Sequence, residues 1–227
     1  MKTALCLHGY FDSLMDHTSK GLDGYKHIKR NILDKTNVDI YIHSWQPELE
    51  QYIRDLYNPV SGIFEKQIDF SNTVKDLNLN DMPKDSSVAR SPATILSHFY
   101  SIQKCFEQVD FNKYNCVIKA RFDLGRINRN TSGPGKHNPY PVQCINFDPN
   151  LDMSGIYMAD WQYMDSDGPA DMWFYGPPTI MKHFSTLYDY TLVNINKTNV
   201  NAIHQLKEFM KTVKIWDKKI PLVTEWE

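Results

Sequence analysis

The chain opens with an almost wholly apolar run, Thr3–His8 (T-A-L-C-L-H), that stops at Gly9. A strand with one wet face alternates apolar and polar residues, whereas one apolar throughout is covered on both faces, as in a parallel sheet flanked by helices. Tyr25–Leu33 follows with apolar residues at 25, 28, 32 and 33, the spacing of a helix face. Val38–Trp45 (V-D-I-Y-I-H-S-W) is then a β-branched and aromatic strand stopped by Pro47. Strand, helix and strand within residues 3–45 make a βαβ unit, whose crossover is nearly always right-handed.

The rest of the chain continues the alternation. Pro47 opens a short helix over Glu48–Leu56, since proline suits the first helical turn. Residues 71–90 are polar around Pro83 and read as a surface loop. Ser91-Pro92 caps a longer helix to Val109, with apolar residues at 95, 96, 99, 102, 106 and 109. Tyr114–Ala120 is a third buried strand, running into Arg121-Phe122-Asp123. Residues 128–150 are too rich in Asn, Gly and Pro for a regular core element, apart from a strand-like piece at Val142–Phe147. Further strands are expected at Gly155–Met158 and Met172–Tyr175, and helices at Pro177–Tyr190 and Val200–Val213, before an aromatic tail from Ile215 to Trp226. The expectation is one α/β domain, a mostly parallel sheet flanked by helices.

Composition removes several function classes. Lys and Arg total 25 against 27 Asp and Glu, a net charge of −2, which lacks the basic excess that nucleic-acid binding draws on. No apolar run reaches the roughly 18–20 residues that span a bilayer. Four cysteines at 6, 105, 116 and 144 form no C-x-x-C pair, arguing against zinc and against a disulfide framework. The apolar stretch Ala4–Leu7 is too short for a signal peptide, so a cytoplasmic location is expected and the sequons at Asn130 and Asn196 read as chance.

Open parallel sheets bind ligands beyond the carboxyl ends of their strands. Three such ends carry chemistry here: His8-Gly9, His43-Ser44-Trp45 and Arg121-Phe122-Asp123. In extended geometry Arg121 and Asp123, two apart, point the same way. An Arg fork suits phosphate oxygens, and Asp suits a cation or a sugar hydroxyl, although the two also suit each other as a plain ion pair. His8-Gly9 resembles the oxyanion loop of α/β-hydrolases, but G-x-S-x-G, G-x-x-x-x-G-K-[ST] and G-x-G-x-x-G are all missing, which argues against a serine hydrolase, a P-loop and an ordinary dinucleotide site. Asp165-Ser166-Asp167 reads either as a D-x-D metal signature or as a turn. Asp171, just before a predicted strand, either faces a cleft or caps local amides. The aromatic residues Trp161, Tyr163, Trp173, Phe174 and Tyr175 are either core or a stacking platform for a sugar or base.

In combination, A4-L-C-L-H-G-Y-F-D-S13, I28-K-R-N-I-L33, D39-I-Y-I-H-S-W45, Ser97–Lys104, Tyr114–Leu124 and the spaced Asp171, Gly176 and Met181 resemble a family of GT-A-type glycosyltransferases found in phage, viral and bacterial polysaccharide gene sets. The similarity covers most of residues 3–190. It implies a GT-A-like (Rossmann-like) single domain over 1–227, with a nucleotide-binding half at 1–127 and an acceptor-side half at 128–227. It also implies a nucleotide-diphosphate sugar donor and a hydroxyl of a glycan or other acceptor. His8, Gly9, Tyr10 and Ser13 would face the donor, with Ser44 and Trp45 near its base or ribose. Ser97, His98 and Ser101 would line a cleft-facing helix, and Lys119 and Arg121 would meet the diphosphate. Arg121 and Asp123 would occupy the D-x-D position, with Asp171 as general base or acceptor-orienting group. Because Arg121 replaces the first acid of D-x-D, two routes stay open: Asp123 holds Mn²⁺ or Mg²⁺, or Arg121 and Lys119 neutralise the leaving diphosphate without metal. Rival readings are a non-catalytic nucleotide-sugar or glycan-binding domain and a hydrolase centred on His8 or His43.

Overall fold

The computed structural model describes residues 1–12, 20–79, 91–125, 144–160, 171–197, 202–215 and 217–221. In chain order the elements are β1 (Lys2–Gly9), α1 (Lys20–Ile28) extended by a π-helical turn to Leu33, β2 (Asn37–Ser44), and α2 (Glu50–Tyr57). Then come β3 (Ser61–Phe64), α3 (Ser71–Asp76), α4 (Pro92–Phe106), β4 (Cys116–Arg121), β5 (Ile156–Asp160) and β6 (Trp173–Gly176). The chain continues through α5 (Pro178–Met181), α6 (Leu187–Asn194), α7 (Ala202–Thr212) and β7 (Asp217–Pro221).

The strands form one seven-stranded sheet in the order β3-β2-β1-β4-β6-β5-β7. β1 pairs in parallel with β2 and β4, β2 with β3, and β5 with β7, while β6 runs antiparallel to β4 and β5. The expected α/β architecture, mostly parallel with helices on both faces, is therefore what forms. The chain lays β1, β2 and β3 outward in one direction, then returns to place β4 on the other side of β1.

Covering of both faces explains the unbroken apolarity of β1. Leu5 and Leu7 pack with Ile28, Ile32, Ile42, Ile118, Ile53 and Tyr57 on one face. Ala4 and Cys6 meet Phe99, Ile102, Cys105 and Phe106 of α4 on the other. Each large aliphatic or aromatic side chain so buried contributes about 1.5–3 kcal/mol. The start of α4 follows its sequence signal: the Ser91 hydroxyl accepts from the Thr94 N–H at 3.3 Å, and Pro92 takes the first helical position. Among the described residues no helix is long and apolar enough to cross a membrane.

The elements depart from the sequence reading in several places. Residues 71–76 are helical rather than loop, started where Asp69 accepts the Ser71 N–H at 2.9 Å and anchored by buried Val74. The single helix expected over 177–190 is three pieces, because the Ser185 and Thr186 hydroxyls donate to the carbonyls of Lys182 and His183 and tighten residues 182–186 into 3₁₀ turns. Cys144, Ile145 and Phe147 are buried but residues 144–147 are not a strand, and α4 ends at Phe106 rather than Val109. β3 and β7 were not anticipated: the first is four residues long with Gly62 inside it, and the second is mostly polar. Ser13, Asn130, residues 142–143, the Asp165-Ser166-Asp167 triplet and the end of the aromatic tail lie outside the described residues.

His27 of α1 ties the irregular segment after β4 to the body of the fold. It is buried, its Nε2 accepts the Ile145 N–H at 3.0 Å, and Gly125 (φ +67°) packs on its ring so closely that a Cβ there would fall 2.1 Å from it. Burial first, then the nearby charges of Arg30 and Lys35, lower its pKa from 6.5 to about 4. The unfolded chain therefore takes up this proton before the folded one does. The histidine's contribution is complete above pH 6.5 and falls away as the pH drops towards about 4, reaching about 3 kcal/mol. His8 and His43, also lowered mainly by burial, add in the same direction. We expect the melting temperature to decline as pH falls through this window, and His27→Gln to flatten the decline; a variant with the wild-type slope would contradict this assignment.

Candidate functional site

A ligand crevice in such a sheet forms beyond the carboxyl ends of the strands where their order reverses. That point lies between β1 and β4, and the parallel register sets His8 opposite His43 on one side and Arg121 on the other. Side chains alternate along a strand, so His8, His43, Lys119 and Arg121 share the face of Ala4, Cys6, Tyr41 and Val117, which α4 covers. An apolar layer thus becomes polar at its rim.

Lys119 is fully buried in that rim, and its Nζ donates to the backbone carbonyls of Asp171 and, at 3.4 Å, Met172. Removing an ammonium from water costs several kcal/mol even after relaxation, so a lysine in mid-sheet is retained for what it holds. It holds the approach to β6, where Asp171 stands. The Asp171 carboxylate lies 3.5 Å from Nε2 of His98 on α4, with both side chains about nine-tenths buried. The His98 ring in turn sits edge-on to His8, centroids 5.1 Å apart. His8 is 1% exposed, and burial, followed by the charges of Lys119, His98, Arg121 and His43, drives its pKa well below 6.5. It is a neutral imidazole.

Arg121 ends β4 and Asp123 lies in the following turn rather than continuing the strand. The two meet as a fork, Nε to Oδ1 at 2.8 Å and Nη2 to Oδ2 at 2.7 Å, while Nη1 points to the Met172 sulfur at 3.3 Å. The plain ion pair foreseen as an alternative is therefore present. It leaves Arg121 a quarter exposed, with its third nitrogen on only a weak acceptor. Both Asp123 oxygens accept from the guanidinium, and among the described residues no group of three or more His, Cys, Asp or Glu side chains is placed to hold a metal ion.

The turn after β1 is held from the β2 side. Gly9 has φ +97°, and none of the described residues comes within 4 Å of where its Cβ would stand. Its N–H donates to the Ser101 hydroxyl at 3.1 Å; Ser101 donates to Nδ1 of His43 at 2.7 Å, and Nε2–H of His43 donates to Glu65 at 3.0 Å. This Ser–His–Glu series does not suit a hydrolase, because Ser101 and His43 are fully buried and the hydroxyl is engaged on both sides. It acts as a strut. Alongside it the Tyr10 hydroxyl donates to Gln67, whose amide donates to Ser97 at 3.0 Å. The Gln46 side chain accepts the N–H groups of Phe11 and Asp12 at 2.7 and 2.9 Å.

The structure thus gathers His8, His98, Lys119, Arg121, Asp123 and Asp171 at the carboxyl ends of β1 and β4, with Gly9 beside them. Ser97 and Ser101 are on α4 but engaged with the strut and its neighbour. Ser44 is fully buried and accepts the Gln46 N–H at 3.3 Å, and Trp45 is buried beneath Tyr100, stacked at 5.4 Å, so both shape the wall from behind. Glu65, Gln67 and Gln46 were missed. Gln46 adjoined a chosen strand end and was within reach of that argument, whereas Glu65 and Gln67 follow a strand too short to be recognised.

Ser101→Ala leaves a fully buried His43 nitrogen and the half-buried Gly9 N–H without partners, each costing about 1–3 kcal/mol. Calorimetry should show a melting temperature lowered by about 4 °C or more, at 2–4 °C per kcal/mol for a chain of this size. Ser97→Ala, which frees only the amide of exposed Gln67, should lower it far less. Equal effects from the two variants would dismiss the strut.

No protein-family model and no curated protein matches this chain. Among solved structures, mouse xyloside xylosyltransferase 1 in its apo form is 11% identical at a TM-score of 0.44, over 97% of this chain and 85% of that one. A provisionally named nucleotide-diphospho-sugar transferase from Desulfovibrio desulfuricans G20 is 13% identical at a TM-score of 0.40, over 97% of this chain and 79% of that one. At that level of likeness neither protein's activity transfers to this chain, whose reading rests on its own residues.

Proposed function

We propose that the chain is a glycosyltransferase that moves a sugar from a nucleotide-diphosphate donor to a hydroxyl of a glycan or other acceptor, at the crevice between β1 and β4. One observation carries this: a cationic pair, Lys119 and Arg121, and an acid–imidazole pair, Asp171 with His98 at 3.5 Å, converge at the topological reversal of a mostly parallel sheet. Cations suit a leaving diphosphate, and a carboxylate beside an imidazole suits removal of a hydroxyl proton. The resemblance of the segments around β1, β2, α4 and β4 to GT-A-type enzymes supports the same reading.

In this reading the diphosphate docks on Arg121, whose plane Asp123 fixes. The Asp171 carboxylate takes the proton of the acceptor hydroxyl, with His98 steadying the carboxylate. The hydroxyl oxygen forms its bond to the anomeric carbon as the bond from that carbon to the phosphate oxygen breaks. The electron pair leaves with the diphosphate and is met by Arg121, with Lys119 adding charge from beneath. Of the two routes, the one without metal is proposed, supported by the engagement of both Asp123 oxygens.

A thermal-shift screen of UDP-, GDP- and CMP-sugars with and without Mn²⁺ should raise the melting temperature for one base class by mass action. Arg121→Ala should weaken that binding at least tenfold, since hydrogen bonds to charged groups contribute about 1.5–3 kcal/mol. Asp171→Asn should keep donor binding yet lower transfer by roughly 10²–10⁴, the usual share of a general base. Donor binding without turnover under every acceptor would favour the binding-domain rival. Turnover that survives both substitutions would favour a histidine-centred hydrolase.

A further inference from the structure

His8 differs in its bonding from the other polar residues at these strand ends. It is 1% exposed, and among the described residues neither ring nitrogen has a hydrogen-bond partner. A neutral imidazole carries one donor and one acceptor. Leaving both unmet costs about 1–3 kcal/mol each, comparable to the gain from burying a Leu or Phe nearby. Every neighbouring polar rim residue on these strands is bonded: His43 to Ser101 and Glu65, Lys119 to two carbonyls, Arg121 to Asp123. A phenylalanine or leucine at position 8 would continue the apolar face without this penalty. At the next residue, Gly9, none of the described residues comes within 4 Å of where a Cβ would stand.

We propose that His8 reads the sugar being transferred, its N–H donating to one sugar hydroxyl and its bare nitrogen accepting from another. This rests on the donor site proposed above and adds which residue distinguishes a nucleotide sugar from the nucleotide alone. Phosphate oxygens accept hydrogen bonds only, so they could satisfy one side of the ring, whereas hydroxyls both donate and accept and can satisfy both. The position fits: His8 is the register partner of Arg121, and adjacent strands lie about 4.8 Å apart, close to the width of one sugar ring beside its phosphate. The nitrogens are closed to solvent without ligand, so a side chain packed beside the ring must shift to admit the sugar; rotamer changes of this kind are common on binding.

The test compares wild type with His8→Phe and His8→Gln, using UDP against UDP-glucose and GDP against GDP-mannose as probes, read by calorimetric titration and by melting temperature. We expect His8→Phe to melt at or above the wild-type temperature, to bind the nucleoside diphosphate within about twofold of wild type, and to lose the extra affinity that the sugar confers by at least tenfold. His8→Gln, which keeps a donor and an acceptor, should retain part of that preference. The inference is overturned if His8→Phe keeps the wild-type preference for the sugar. It is equally overturned if the variant melts several degrees lower with both ligands weakened alike, which marks a purely structural histidine. Wild type that binds the nucleoside diphosphate but gains nothing from any sugar defeats this inference and spares the donor site; wild type that binds neither defeats both. Should His8→Phe not fold, His8→Leu, which likewise removes both ring nitrogens, decides by the same comparison.

Discussion

The site depends on β1 being paired on both sides in parallel. That double pairing puts the end of one strand, His8-Gly9, in exact lateral register with the ends of two others, His43-Ser44 and Arg121. Hydrogen-bond ladders fix the spacing between strands to a few tenths of an ångström. The rim residues are therefore positioned by the sheet itself, and no loop is needed to bring His8 and Arg121 together. Had the chain laid β4 beside β3, the same residues would lie two strands further apart and share no crevice.

The face beneath α4 pairs a conventional apolar layer with a polar rim of unusual depth. Ala4, Cys6, Tyr41 and Val117 pack against Phe99, Ile102 and Cys105, yet one step along the same rows stand His8, His43 and Lys119, all fully or almost fully buried. Burial on this scale keeps both His8 and His43 neutral. Lys119 is held by two backbone carbonyls and His43 by Ser101 and Glu65, whereas the His8 ring nitrogens find no partner among the described residues. Lys119 and His43 are thereby set in place before any ligand arrives, which is the condition under which fixed dipoles and charges stabilise a developing charge most effectively.

How far this was legible in the sequence depended on whether a residue's signal was local. β1, β2 and β4 announced themselves through continuous apolar runs, and α4 through Ser91-Pro92, because burial on two faces and helix capping leave marks within a few residues. Their ends then gave His8, Gly9, Arg121 and Asp123, and the junction before β6 gave Asp171. What stayed hidden was set by contacts distant in the chain. Glu65 follows a four-residue strand that exists only because β2 offers it an edge, and Gln46 earns its place through amides 34 and 35 residues away. The mutual capture of Arg121 and Asp123 was foreseen only as an alternative, since a strand pattern does not say where the strand stops, and β4 stops at Arg121.

The asymmetry of the polar bonding decides on which side of β1 a ligand can lie. Towards β2 the rim is closed: Glu65 and Gln67 reach across to His43, Ser97 and Tyr10, and Gln46 holds the amides after Gly9. Inserting a ligand there would break several buried or half-buried hydrogen bonds at once, each costly to leave unmade. Towards β4 the Arg121–Asp123 fork and the Lys119 carbonyl bonds are strong, but weaker contacts lie beside them. The Asp171 carboxylate and His98 Nε2 are 3.5 Å apart, Arg121 Nη1 rests on a thioether, and among the described residues the His8 ring meets the edge of an imidazole without a hydrogen bond. A ligand entering on this side exchanges weak contacts for strong ones. The same sheet that fixes the rim therefore leaves one half of it ready to bind and the other half committed to holding the turn.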